Sequence, residues 1–383
     1  MGGTPVKAGN PQRDSTLATP FFLSLKFSGE PVPYGARFAF TLPLPLAMNT
    51  TTPPSANRPD FPAGGPLLSS PQSLAPRFLA PAGLRWGMFR TADGARLRWC
   101  CLASEKPGAV QCVLVGGFTE FIEKYFETIR DLAARGFTVW CLDWRSQGGS
   151  DREQAIDAGP GARRYDRDAE DLTAFIGEML PTDAPRLLAA HSMGGAIALL
   201  ALHATPTLVR AAVLSAPMLD LETGLLPRPF ARALAWLAVR MGFGDTFVPG
   251  GGPWRFDADL SPAISPISHD AERCLVHRDW FEFQTRLRVH GPTFAWADAA
   301  FALAQHFREP AFLREITTPL LIGSARRERF VRPRAHHRAA RHLPNCTLVD
   351  FPTAKHELFH ETDDVRERWF AAIDSFCAQH LHP

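Results

Sequence analysis

Ser192 interrupts the apolar run LLAAHSMGGAIALL (187–200), standing between His191 and Met193-Gly194-Gly195. A serine hydroxyl is a weak nucleophile until a base takes its proton, and the base works best when an acid orients it. The residues before Ser192 read as a strand and those after it as a helix, so the serine falls on the sharp turn between them. This is the strand–turn–helix setting of the nucleophile elbow, G-x-S-x-G, in which small residues two before and two after the serine let backbone segments nearly touch. Here Ala190 takes the first glycine position and Gly194 the second. A helix N-terminus favours developing negative charge, and the N–H of Met193 is placed to donate to an oxyanion. The alternative is a small-x-Ser-x-Gly that merely turns a tight corner.

Among thirteen histidines, His356 is the candidate base. It lies in FPTAKHELFHE, a loop between the last strand and the last helix, at the same end of the sheet as the elbow. His360 is one turn further on, and His336, His337 and His342 ride on a helix. The acid should follow the strand PLLIG (319–323), where SARRERFV offers Glu328. Its neighbours Arg326, Arg327 and Arg329 would favour ionisation if they lie close. The rival acid is Asp350, at the end of the next strand. The second oxyanion donor is sought in the loop Gly116-Gly117-Phe118-Thr119-Glu120, with the N–H of Phe118 as the candidate, because glycines let backbone approach substrate.

These residues need a scaffold of alternating strands and helices. Residues 1–81 hold 15 of the 34 prolines and show no apolar periodicity, which predicts a disordered leader. Within it, 38–48 mimics the apolar core of a signal peptide but lies far from the start and contains prolines, and Met48 is an alternative start. A hairpin is predicted around Asp93-Gly94. Strands follow at 110–115, 137–142, 186–190, 209–214, 319–322 and 347–349. Helices are expected at 124–135, 164–180, 194–203, 334–343 and 365–377. This alternation argues an α/β fold with a mostly parallel sheet and helices on both faces. The body comprises 82–216 and 311–383. The interval 217–310, rich in Trp, Phe and Pro, is too long for an ordinary connection and reads as a cap insertion over the strand ends.

Several separated stretches carry a resemblance: TADGARLR (91–98), GGFTEFIEKY (116–125), LDWRSQGGS (142–150), AHSMGG (190–195), VLSAPML (213–219), GPTFAW (291–296), ERFV (328–331) and KHELFHE (355–361). Together, in order, they resemble the α/β-hydrolase fold lysophospholipases and monoacylglycerol lipases of bacteria. The resemblance implies Ser192 as nucleophile, His356 as base and Glu328 as acid. It implies hydrolysis of a lipid-like ester, lysophospholipid or monoacylglycerol, through an acyl-enzyme, with no metal or organic cofactor. The chain departs from the family pattern in two places. The acid is commonly Asp, and the oxyanion loop commonly reads His-Gly where this chain has Gly116-Gly117. Asp143, Arg145, Gly148 and Ser150 match a family motif and read as structural.

A net charge of +2 with 21% charged residues gives no global field toward nucleic acid, and no nucleic-acid-binding motif occurs. Seven cysteines without a C-x-x-C pair read as buried, reduced thiols of a cytoplasmic protein, peripheral to the inner membrane if it meets lipid. No apolar run is long enough to span a bilayer. Residues 229–243 (PFARALAWLAVRMGF) predict an amphipathic helix whose Phe230, Leu234, Trp236, Leu237 and Met241 pack on the body or, in the other reading, touch lipid transiently. Arg334, Arg338 and Arg341 fall on one helical face, suited to solvent or to phosphate headgroups. The cap predicts an apolar acyl pocket. Rival functions are a small-ester, thioester or amide hydrolase, and a non-catalytic binding member of the fold. Head group, chain length and oligomeric state are left open.

Overall fold

The structure is a computed structural model that describes Gly2 and residues 70–106, 108–155, 158–255 and 265–381. Most of the expected leader, with 38–48 and Met48, lies outside the described residues. Residues 70–81 of that segment, however, are placed against the body. Phe78 is buried, Arg77 pairs with Glu272 at 2.7 Å, and Arg130 donates to the carbonyls of Arg77 and Leu79. Apolar anchoring and a guanidinium clasp order a stretch whose proline content alone suggested the opposite.

Strands β1 (Arg85–Arg90) and β2 (Arg96–Leu102) form the expected hairpin, closed where Gly94 takes φ +87°. There follow β3 (Gln111–Val115), α1 (Phe126–Ala134), β4 (Thr138–Leu142), α2 (Tyr165–Met179), β5 (Arg186–His191), α3 (Met193–Ala204) and β6 (Ala211–Ser215). Then come α4 (Arg228–Arg240), α5 (Ala271–Phe283), α6 (Phe294–His306), α7 (Pro310–Arg314), β7 (Leu320–Ala325), α8 (Pro333–Ala340), β8 (Cys346–Phe351) and α9 (Asp363–His380). The helix expected from residue 124 starts later, because Ile122–Tyr125 winds first as a 3-10 turn.

The sheet order is β1-β2-β4-β3-β5-β6-β7-β8, parallel from β4 through β8. Helices cover both faces, so the central strands are buried throughout and their side chains alternate between two cores. Val113, Val115, Leu188 and Ala190 face the core shared with α2 and α3. Cys112, Leu114, Leu187 and Ala189 face the core shared with α1 and α9. The chain passes from β3 to β4 on one side and then to β5 on the other. The carboxyl ends of β3 and β5 therefore flank a topological switch point, where loops diverge and leave a crevice. Val115 pairs with Ala190, which sets the loop after β3 beside Ser192.

Within 217–310, α4 lies on α6. The expected packing of its large apolar residues is overturned. Phe230 is 67% exposed, Trp236 51% and Met241 62%, with Leu234 and Leu237 also exposed. Ala235 and Ala238 are buried instead. A small-residue stripe permits close helix–helix approach, and it leaves the bulky residues on the outer face.

Candidate active site

β5 ends at His191 and α3 begins at Met193, so Ser192 takes the turn alone, at φ 50° and ψ −116°. This is a conformation that non-glycine residues rarely hold. It is pinned on both sides. The Ser192 N–H donates to the Ser215 carbonyl at 3.0 Å, and the Ser192 carbonyl accepts from Met218 N at 2.8 Å. A Cβ at Gly194 would come within 2.5 Å of the Gly116 carbonyl oxygen, which explains the glycine after the serine. Ala190 is fully buried in the core, so a methyl is accommodated at the first small position.

His356 Nε2 lies 2.9 Å from Ser192 Oγ, and its Nδ1 lies 2.6 Å from Glu328 Oε2. A carboxylate only accepts, so Nδ1–H donates to Glu328 and Nε2 is left to accept the serine proton. The other oxygen of Glu328 accepts from the N–H groups of Arg329 and Phe330 at 2.9 and 3.0 Å. Burial would lower the basicity of His356, but the Glu328 carboxylate outweighs it and raises the pKa above 6.5. Burial likewise opposes ionisation of Glu328, and His356 with the two backbone N–H groups overcomes it to hold the carboxyl below its usual value. The expected help from arginine side chains is not what acts: Arg326, Arg327 and Arg329 are exposed. Asp350 is not brought to His356. It lies 3.0 Å from His337 Nε2 and 3.6 Å from Arg326.

Phe118 sits in a tightly held loop. Gln147 donates to the carbonyls of Gly117 and Glu120 and accepts from Thr119 N, while Trp144 Nε1 donates to Gly116 O. Gly117 N donates to the Glu120 carboxylate. Thr119 takes φ +66°. Among the described residues neither Phe118 N nor Met193 N donates to another protein group, and a Cβ on Gly117 would lie 3.0 Å from Ser192 Cβ. Two free N–H groups thus border the serine.

Sequence reasoning missed the buried charges beneath this loop. Lys124 Nζ lies 2.7 Å from Glu120 Oε1 and 2.6 Å from Glu357 Oε1, and Tyr125 OH donates to Glu120. Despite burial, the two carboxylates raise the Lys124 pKa, and the ammonium is retained. The i,i+4 spacing of Glu120 and Lys124, and Glu357 being next to His356, were the available signals. Glu120, His191 and Glu357 bring ligating atoms within 4.8 Å of one another, but the Lys124 ammonium already sits between the carboxylates. His191, whose ring is 4.6 Å from His356, is pushed by burial down to about 3 and stays neutral. Asp143 accepts from Arg98, Ile122 N and Gly149 N, and Arg145 clasps Asp171 and Asp93.

The interval 217–310 touches both loops. Phe118 lies against Trp296 at 4.4 Å and Phe121 stacks on Phe281. Glu357 N donates to Ile267 O, Lys355 Nζ to Ser268 O, and His269 bonds Glu361. Beside Phe118 opens a depression in which Phe118, Val289 and Trp296 face Arg145, Gln147 and Arg163. Its lining is mixed, because Arg145 and Arg163 bring salt-bridged guanidinium groups to it. It is lined by neither Ser192 nor His356.

The model of the family described as serine aminopeptidase, S33, matches residues 106–363. Lysophospholipase L2 of Escherichia coli K12 is 30% identical over 280 residues, covering 71% of this chain and 81% of that protein. The chain belongs to this family. As an S33-family member it is an α/β hydrolase, and its kinship is that of a carboxylic ester hydrolase. The probable lysophospholipase L2 of Haemophilus influenzae is 27% identical over 273 residues, covering 69% and 82% of the two chains. Among solved structures, a soluble variant of monoglyceride lipase from Saccharomyces cerevisiae aligns with TM-score 0.60 at 17% identity, covering 82% of this chain and 100% of that one. A carboxyl esterase from Bacillus coagulans aligns with TM-score 0.58 at 15% identity, covering 79% and 100%. At such identities the structural likeness is one of fold.

Proposed function

We propose that the protein is a serine hydrolase that cleaves carboxylic esters of lipid-like substrates, lysophospholipid or monoacylglycerol, through an acyl-enzyme. The carrying observation is the relay from Ser192 Oγ through His356 to Glu328, at 2.9 and 2.6 Å. In this reading Ser192 Oγ attacks the acyl carbonyl as its proton passes to His356 Nε2. The N–H groups of Phe118 and Met193 receive the charge that builds on the carbonyl oxygen. His356 then gives the proton to the departing alcohol. Water attacks the acyl-enzyme, surrendering a proton to His356 that finally returns to Ser192. Glu328 keeps the imidazole in the working tautomer and stabilises its cation.

The lipid-like substrate class is supported by the named relatives and by the outer face of α4. Phe230 and Trp236, more than half exposed, with Arg232 and Arg240 exposed on the same helix and Leu225 and Met241 exposed just beyond its ends, suit transient contact with a lipid surface. We place the protein in the cytoplasm, at the membrane when it meets substrate. Among the described residues all seven cysteines are free and six are buried, and no helix is long and apolar enough to cross a membrane.

The test is hydrolysis of lysophosphatidylcholine and monoolein by the purified protein, with Ser192→Ala as control and a fluorophosphonate probe for labelling at Ser192. A p-nitrophenyl ester series from acetate upward reads chain preference. Unlabelled wild type would leave only a binding role, and equal rates on short and long chains would remove the lipid assignment.

A further inference from the structure

Asp220 lies where the chain leaves β6, and arginines from three separate elements converge on it. Arg228, opening α4, donates Nε to Asp220 Oδ1. Arg308, just past α6, lies 3.4 Å from Oδ2. Arg338 of α8 has Arg308, Asp220 and Arg228 as its charged neighbours, with Arg341 beyond them. Two guanidinium groups contact the one carboxylate and a third lies within its field, so three positive charges stand near one negative charge. The other nearby acid, Glu222, faces Arg332.

The donors are also in excess. Arg338 Nε and Nη2 and Arg228 Nη2 are buried and meet no hydrogen-bond acceptor among the described residues. Buried polar groups are normally satisfied, and those that are not call for an explanation. Burial first, and then the guanidinium of Arg308, push Arg338 below its ordinary value. Planar guanidinium forks match tetrahedral oxyanions well. A carboxylate brings one charge and two oxygens, whereas a phosphate brings up to two charges and enough oxygens for three donors on two arginines.

The cluster adjoins the candidate active site. Met218 N donates to the Ser192 carbonyl, and Asp220 follows two residues later, a reach of at most about 7 Å. Asp220 O accepts from Arg332 N, and Leu221 pairs with Val331, just past Glu328.

We propose that Arg228, Arg308 and Arg338 form a binding site for a phosphate group beside the serine and acid loops. Two sources fit that chemistry, the phosphate of a lipid headgroup and free inorganic phosphate. The headgroup form rests on the ester-hydrolase reading above; the anion site itself does not.

The experiment uses full-length Ser192→Ala protein, so binding is read without turnover. Inorganic phosphate is titrated against chloride at matched ionic strength, following thermal midpoint and ³¹P line width. Saturable stabilisation is expected, with half-saturation raised at least ten-fold in Arg308→Gln/Arg338→Gln. The single variant Arg308→Gln, at a partly exposed side chain, is expected to show an intermediate loss. A response no larger than that to chloride, or an unchanged response in the double variant, overturns the proposal. In active enzyme carrying the double substitution, KM is compared for lysophosphatidylglycerol and monoacylglycerol of equal chain length. A rise of at least five-fold for the phospholipid alone assigns the site to the headgroup. Unchanged KM for both, with phosphate stabilisation lost, assigns it to free phosphate. If wild type cleaves neither lipid, the hydrolase reading fails while the titration still decides the anion site.

Discussion

The ammonium of Lys124 lies 2.6 Å from Glu357 Oε1 across 233 positions of sequence. It joins the loop that carries Phe118 to the loop that carries His356. Removing one partner of a buried ionic group leaves uncompensated charge, at a cost of about 3–5 kcal/mol. Lys124→Met should therefore lower stability in urea by roughly that amount and depress kcat more than it raises KM. Lys124→Met/Glu357→Gln should recover part of the stability. A single variant as stable and active as the parent would show that the bridge positions nothing.

Glu328 and Asp350 are separated by what they touch. Glu328→Gln should cost roughly 10³- to 10⁴-fold in kcat, the scale seen when the orienting acid of a serine triad is neutralised. Asp350→Asn, which disturbs a half-exposed pair with His337, should stay within about two-fold. Steady-state rates on one ester decide it, and a larger loss in the Asp350 variant would reverse the assignment of the acid.

In the proposed mechanism neutral His356 is the base, so kcat/KM should rise with pH through its pKa, held above 6.5 by Glu328 against burial. In residual activity of Glu328→Gln, the largest support against burial is gone and that limb should move to lower pH. The same shift has a stability sign. The raised His356 pKa contributes stability that is full below the unfolded value and is lost as pH rises through the folded one. The lowered Glu328 pKa contributes above its unfolded value near 4.5 and is lost as pH falls through the folded one. The pH–rate profiles of the two proteins give the comparison.

Gly194→Ala sets a methyl against the Gly116 carbonyl, and backbone on both sides must yield. Overpacking of this kind typically costs about 1–3 kcal/mol, and here it displaces the loop bearing Phe118. Fluorophosphonate labelling of Ser192 should slow at least ten-fold. Ala190→Gly, in the same turn, should retain labelling and lose only about 0.5–1 kcal/mol.

The outer face of α4 predicts a lipid-dependent phenotype. Leu234→Ser/Trp236→Ser/Leu237→Ser removes exposed apolar area from the outer side of the helix. It should leave the rate on soluble p-nitrophenyl acetate unchanged while reducing co-sedimentation with phosphatidylglycerol vesicles several-fold. Equal sedimentation of variant and parent would discard the membrane contact.

The sheet was legible because β3, β5 and β6 are buried on both faces and read as continuous apolar runs, with helical spacing between them. That Ser192, Glu328 and His356 come together was legible because each follows a strand and thereby lies at the same end of a parallel sheet. Lys124 was not, since a buried lysine looks like a surface residue until its two carboxylates are found, one of them 233 positions away. The face of α4 misled for a related reason. Periodicity marks which residues share a side of a helix, but Ala235 and Ala238 decide which side turns inward. Glu328 showed that a run of arginines need not supply the field at an acid, because two backbone N–H groups and an imidazole lie nearer.

Residues 267–269 hold the loop of His356 through the Glu357 N–H, the Lys355 ammonium and the Glu361 carboxylate. Shifting that stretch severs fastenings on the loop that carries His356. Residues 267–269 and the loop of His356 are thus fastened to one another, so that a displacement of either pulls on the other.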